Sequence, residues 1–190
     1  FVYLVASNSD CDTGLPLIVH EKEKYFYRLG LYLADLVISQ TGVQQAMLKD
    51  SFGYDSVVLQ PPIQAQEIET AAVRKDDHIR QILWMGRIIE VKRLEMLLDV
   101  AEMCPQFQFN VVGTPNKEDE YYRAVTQRAK SIENVNLLGK VPESALPDIF
   151  ASADVFCSTS VLEGFPTTFL EAWSYGVPVV LSLIHISEPT

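Results

Sequence analysis

Two stretches carry residue types suited to chemistry on an anionic, hydroxylated ligand. The first is Gly86-Arg87, with Lys92 five positions further on. Glycine lets a backbone come close to a ligand, and a fork-shaped guanidinium plus an ammonium at a helix N-terminus suits a diphosphate. The second is Glu163-Gly164-Phe165-Pro166-Thr167-Thr168-Phe169-Leu170-Glu171, in which seven residues separate two carboxylates. Gly164 and Pro166 make a tight approach, so that N–H groups near Thr167 and Thr168 can face an anion. A carboxylate beside them accepts hydrogen bonds from vicinal sugar hydroxyls. Plainer readings exist for both stretches. Taken alone, Arg87 and Lys92 read as readily as solvated loop charges. Ser160 to Glu163 and Thr168 to Glu171 both match the S/T-x-x-E capping box. Gly164 and Pro166 weaken any helix that Glu163 would cap, so capping accounts for Glu171 better than for Glu163.

Such residues act together only if the fold brings them to one place, and in open parallel sheets that place lies beyond the carboxyl ends of the strands. The pattern predicts that arrangement. Short β-branched runs at Ile79 to Met85, Phe107 to Val112, Val135 to Leu138, Val155 to Ser158 and Val179 to Leu181 alternate with amphipathic stretches. Leu94, Leu97, Leu98 and Ala101 recur at helical spacing, and further helices are expected near Glu120 to Ser131, Ser144 to Ser152, and from Thr167 to a cap at Gly176. The fold class is therefore α/β, a doubly wound, Rossmann-like parallel sheet. Arg87 and Lys92 follow its first strand, Lys92 at the start of a helix; Glu171 is expected in the first turn of a later one. The turns Gly113-Thr114-Pro115 and Leu138-Gly139-Lys140-Val141-Pro142 end two strands at the same rim, and the second can pass beside a flat base.

Upstream, Phe1 to Ala6, Leu36 to Ser39 and Val57 to Leu59 read as strands and Gln44 to Asp50 as a helix. These look like the closing elements of another α/β domain over residues 1–62. Gln60-Pro61-Pro62 opens a polar linker, residues 63–78, before a second domain at 79–182. The last residues, 183–190 (LIHISEPT), follow no pattern from the preceding sheet and resemble translated adapter sequence.

Fifteen basic against twenty-five acidic residues give a formal charge of −10, which repels polyphosphate backbones and argues against a nucleic-acid partner. An anionic ligand then needs a local cationic pocket. Cys11, Cys104 and Cys157 are odd in number and lack a CxxC spacing, and His20, His78 and His185 show no metal-ligand spacing, so neither a disulfide framework nor a metal site is expected. A reducing, cytoplasmic setting fits. No apolar run approaches the ~18 residues that cross a bilayer. Asp10-Cys11-Asp12 has the DxD form of a metal–nucleotide site, but acidic turns are common and no metal or other cofactor is expected there. The absence of GxGxxG, GxxxxGK[ST] and G-x-S-x-G elements removes dehydrogenase, P-loop and serine-hydrolase readings.

The runs GRIIEVKRLEMLL, LGKVP, LPDIFASADVFCSTSVLEGFPTTFLEAWSYGVPVV and ADLVISQT together resemble the fourth family of glycosyltransferases, across most of residues 34 to 181. The resemblance implies a two-domain GT-B architecture, here truncated at both ends, and a retaining transferase that uses a nucleotide-diphosphate sugar linked to UDP, GDP or ADP. It implies that Arg87 and Lys92 hold the donor diphosphate and stabilise the departing nucleotide, that Glu163 contacts the transferred sugar, and that Glu171 grips the ribose hydroxyls. Backbone groups of Gly164, Phe165, Pro166 and Thr167 would line the sugar and phosphate and Val141 would meet the base, with Gly86 and Thr168 completing the expected substrate-binding residues. Glu163, Arg87 and Lys92 are the expected catalytic groups. The sequence departs from the family where Arg93 replaces a glycine and where Thr167 replaces asparagine or a similar small residue. The acceptor is not identified, and any peripheral membrane contact falls to the missing acceptor-side part. A non-catalytic nucleotide-sugar-binding or assembly module of the same fold, and a nucleotide-sugar epimerase, are the alternatives.

Overall fold

A computed structural model describes residues 1–16, 18–60, 80–161 and 167–182. Its described residues fall into two compact units, 1–60 in one and 80–161 with 167–182 in the other. The expected linker at 63–78, the tail at 183–190, and Glu163, Gly164, Phe165 and Pro166 lie outside the described residues.

The first unit consists of β1 (Val2–Leu4), α1 (Glu21–Leu33), β2 (Leu36–Ser39), α2 (Gly42–Phe52) and β3 (Val57–Val58). The strands are all parallel, in the order β1-β2-β3. Val5, Cys11, Leu31, Val37 and Leu48 form its core. Thr41 caps α2 by accepting from the Gln44 amide at 3.1 Å, and Gly53 ends that helix at φ 76. Periodicity in the sequence does not reveal α1. Tyr25, Phe26, Tyr32 and Leu33 are exposed on it while Leu31 alone is fully buried, so its large apolar residues do not all mark a core-facing side. The expected strand at Phe1 to Ala6 is also shorter, confined to Val2–Leu4.

The second unit runs β4 (Gln81–Met85), α3 (Leu94–Met103), β5 (Gln108–Val112), α4 (Glu120–Lys130), β6 (Val135–Gly139), α5 (Leu146–Ser152), β7 (Val155–Ser158), α6 (Thr167–Ser174) and β8 (Val179–Leu181). The order β6-β5-β4-β7-β8, parallel throughout, is that of a doubly wound sheet whose direction of winding reverses between β4 and β7. Pleating sends alternate residues to opposite faces. Trp84 and Val111 join Leu94, Leu97, Leu98, Ala101, Val125 and Ala129 beneath α3 and α4. Leu83 and Val112 join Phe150, Phe156, Phe169 and Ala172 beneath α5 and α6. Full burial of each leucine at 94, 97 and 98 contributes roughly 1.5–3 kcal/mol before entropic costs. Asn134 completes the end of α3 by donating to the carbonyls of Ala101, Cys104 and Phe107. At the same amino end of the sheet, the Asp154 carboxylate accepts from the Arg80 and Gln81 amides and fixes where β4 begins.

The carboxyl rim is formed from three successive glycine positions on adjacent strands. The Gly86 amide donates to Val112 O at 3.0 Å, and the Gly113 amide donates to Gly139 O at 2.9 Å. Gly113 has φ 153, and a Cβ there would lie 1.8 Å from Gly86 O, so the close approach of the two turns requires glycine. At Gly86 a Cβ would meet nothing closer than the Trp84 side chain at 3.5 Å. Gly113→Ala is therefore expected to destabilise the fold by at least about 3 kcal/mol, while Gly86→Ala costs under about 1 kcal/mol, as read by urea denaturation of the full-length protein.

Candidate functional site

Because β4, β5, β6 and β7 all run in one direction, the residues that follow them lie at one rim of the sheet. Gly86 and Arg87 come first, after β4. Arg87 is exposed, and its Nη1 donates to Asn116 Oδ1 at 3.5 Å, a residue of the segment between β5 and α4. Lys92 belongs to a separate 3-10 turn, Glu90–Lys92, rather than to the helix expected to begin with it. Its side chain passes alongside Gly86, with Cδ 3.9 Å from the position of a Cβ there. The two cations are thus held on a short excursion between β4 and α3.

Arg93 separates that turn from α3. It adopts φ 49, ψ 51, the left-handed conformation that glycine occupies without penalty and that costs another residue about 1–2 kcal/mol. A glycine, which the resemblance leads one to expect at this position, would be unstrained there. The Arg93 guanidinium lies 3.4 Å from Glu95 Oε1. Tyr121 completes the start of α3: its hydroxyl donates to Glu95 Oε2 at 2.6 Å and accepts from the Leu94 amide at 2.9 Å. Burial, followed by the hydrogen bond to Glu95, raises the pKa of this phenol.

The carboxyl end of β7 is joined directly to the cationic turn. Thr159, only 3% exposed, accepts from Trp84 Nε1 at 3.0 Å and donates to the Lys92 carbonyl at 2.7 Å. Beside it, the Val161 amide donates to Val91 O at 2.9 Å. Ser158, Thr159 and Ser160 form a buried hydroxyl run at the strand end. Neither Thr159 nor Trp84 belongs to a motif in the sequence. Their signal is an indole inside an otherwise apolar strand, which requires a hydrogen-bond acceptor when buried. Cys157 precedes this run, and burial pushes its thiol up to about 11, which leaves it unsuited to act as a nucleophile.

Thr167 and Thr168 open α6, and a helix leaves its first amide groups without acceptors inside the helix. Since Thr168 is itself helical, it cannot be the cap of a box with Glu171. Glu171 stands in the second turn rather than the first. Its carboxyl pKa is raised, chiefly by burial and then by the charge of Glu143, which lies just past β6. Val141, two residues before Glu143, packs against the core beneath α5 and α6. Described residues therefore bring Gly86 and Lys92 side by side and set Glu171 within electrostatic reach of Glu143 at the same rim.

Asp10 and Asp12 are in the first unit and serve local turns. Asp10 Oδ2 accepts from the Ser7 amide at 2.9 Å, and Asp12 Oδ1 accepts from the Gly14 amide at 2.6 Å. Among the described residues no cluster of three histidine, cysteine or acidic side chains is arranged to hold a metal ion, and no helix is long and apolar enough to cross a membrane.

Comparison with known proteins places the chain in a family. The model of the glycosyl transferases group 1 matches residues 65–186, more than half of the chain. A mannosylfructose-phosphate synthase from Agrobacterium fabrum (strain C58) is 28% identical over 185 residues, covering 85% of this chain and 41% of that protein. The O-antigen chain mannosyltransferase B of Escherichia coli is 30% identical over 113 residues, covering 54% of this chain and 30% of its own length. The chain therefore spans less than half the length of these relatives. Among solved structures, sucrose-phosphate synthase from Thermosynechococcus elongatus aligns with a TM-score of 0.75 at 18% identity, covering 96% of this chain and 50% of that one. Anabaena HepE, solved in complex with UDP-glucose, aligns at 0.74 and 19% identity, covering 96% and 53%. The fold is that of the GT-B glycosyltransferases, and the chain belongs to the glycosyl transferases group 1.

Proposed function

We propose that the full-length protein is a retaining glycosyltransferase that takes its sugar from a nucleotide-diphosphate donor bound at the carboxyl rim of the second unit. The observation that carries this reading is the pairing of Lys92 with Gly86 on the turn after β4, next to the reversal point of the sheet. A lysine side chain that runs alongside a glycine lets a diphosphate approach both a cation and bare backbone. Arg87 adds a forked donor at the exposed edge of the same turn.

In this reading Arg87 and Lys92 hold the diphosphate and offset the charge that develops on it as the glycosidic bond to phosphate breaks. Glu171 accepts hydrogen bonds from the ribose hydroxyls, and Val141 lies against the base. Glu163 and the backbone of Gly164 to Thr167 contact the sugar. Retention of anomeric configuration means that the acceptor oxygen ends on the face from which the nucleotide left. The co-occurrence of UDP-glucose with a structural neighbour's fold supports a nucleotide-sugar donor here. The non-catalytic and epimerase alternatives gain no separate support from the residues at this rim.

Calorimetric titration of UDP, GDP and ADP into the full-length protein without added metal is expected to show binding of at least one. Arg87→Ala should weaken that binding by about 1.5–3 kcal/mol, the range for charge-assisted hydrogen bonds, and equal affinities would reject the assignment. Glu171 supplies a second test. A carboxyl whose pKa is raised by folding favours the protonated state, so its stability contribution is complete below the ordinary glutamate range and is lost as pH rises through the raised value. Above that range the ionised carboxylate is disfavoured in the folded protein relative to the unfolded chain. Glu171→Gln should therefore raise Tm at pH 7 relative to wild type, lose that advantage near about pH 4, and still bind nucleotide more weakly. A lower Tm at pH 7 with unchanged nucleotide affinity would contradict the role.

A further inference from the structure

Two hydrogen bonds cross the point where the sheet reverses its winding, and both end on the cationic turn. One is the backbone bond from the Val161 amide to Val91 O at 2.9 Å. The other passes through a side chain: Thr159 Oγ1 accepts from Trp84 Nε1 at 3.0 Å and donates to Lys92 O at 2.7 Å. A threonine hydroxyl has one proton and two lone pairs, so these partners fix its rotor completely in one direction. With Trp84 as donor, the single Thr159 proton must go to Lys92 O. Trp84 and Thr159 are 2% and 3% exposed, so water does not compete for these bonds.

The placement has a directional consequence. Lys92 ends a 3-10 turn and is followed by Arg93 in a left-handed conformation, which is strained for an arginine. A strained, short turn persists only where the surrounding structure holds it. Of its carbonyls, the one on Lys92 is gripped from β7 by a buried hydroxyl, and that hydroxyl is itself aimed by an indole from β4. The backbone from which the Lys92 side chain departs is thereby referenced to both strands that flank the reversal point.

We propose that Thr159 is a positioning residue for the donor diphosphate: the Trp84–Thr159–Lys92 relay sets the backbone of Lys92 so that its side chain runs alongside Gly86, towards the diphosphate. This rests on the donor-binding reading given above. Thr159 touches no ligand; it acts through Lys92. Its contribution falls on the diphosphate and not on the nucleoside, whose contacts come from the turn after β6 and from α6.

The test compares affinities of the full-length protein for a nucleoside diphosphate and for the matching nucleoside, using whichever of UDP with uridine, GDP with guanosine or ADP with adenosine binds wild type. Thr159→Val keeps the shape and removes the hydroxyl. It should weaken the diphosphate about tenfold and leave the nucleoside unchanged, and Thr159→Ser should restore the diphosphate. Should Thr159→Val not fold because the Trp84 indole is left without an acceptor, the pair Trp84→Phe with Thr159→Val removes both partners and is expected to fold with the same selective loss. A diphosphate affinity equal to wild type in the folded variant, or a parallel loss of diphosphate and nucleoside, overturns the proposal. Arg87→Ala in the same series separates the two levels: if it weakens the diphosphate and Thr159→Val does not, only the relay is wrong. If neither variant changes it, the donor site itself is misplaced and the relay falls with it.

Discussion

An acidic protein with a formal charge of −10 repels a diphosphate at long range, so binding one depends on a few cations held rigidly at short range. In the proposed donor-binding reading, the cationic turn of the second unit answers that constraint. Lys92 is carried on a 3-10 turn rather than on a helix, and that turn is tied by hydrogen bonds to the end of β7. The Lys92 side chain passes beside Gly86, and the absence of a side chain at Gly113 lets the turn after β5 come close to the Gly86 carbonyl. Without the ties, a flexible lysine would spread its charge over solvent and lose much of its value to the ligand.

The same rim shows how stability and ligand binding compete. Arg93 occupies a left-handed conformation that glycine would accept freely. Glu171 is partly buried close to Glu143, and both burial and that charge disfavour its ionised form. Each is a local cost placed where the proposed donor lies, the pattern expected when a site is built for a partner rather than for the fold alone. Elsewhere in the unit the chain is locally consistent. Asn134 closes α3, Asp119 caps α4 by accepting from the Tyr122 amide, and Arg128 of α4 pairs with Asp99 and Glu102 of α3.

Most of the second unit was legible in the sequence because its strands are buried β-branched runs and its helices are amphipathic. Val155 to Ser158 and Val179 to Leu181 coincide with β7 and β8. What was not legible depended on long-range geometry. The break between Lys92 and α3 arises from a single left-handed residue, and arginine gives no hint of one. The Thr168 to Glu171 capping box fails because α6 already includes Thr168, which spacing alone cannot show. Thr159 bonds residues 67 and 75 positions away, so no local pattern announces it. In the first unit, α1 escaped because its exposed aromatic residues blur the apolar face. Glu163 stood out from residue types and spacing, but its assignment to the transferred sugar follows from resemblance to the family and lies outside the described residues.

Backbone hydrogen exchange, followed by mass spectrometry on the full-length protein with and without a saturating nucleoside diphosphate, tests most directly whether the rim is the donor site. The account predicts slower exchange in three separated peptides, those containing Gly86 to Leu94, Gly139 to Glu143 and Thr167 to Glu171, with the rest of the second unit little changed. Binding that leaves all three at their ligand-free rates and protects another region instead would contradict it.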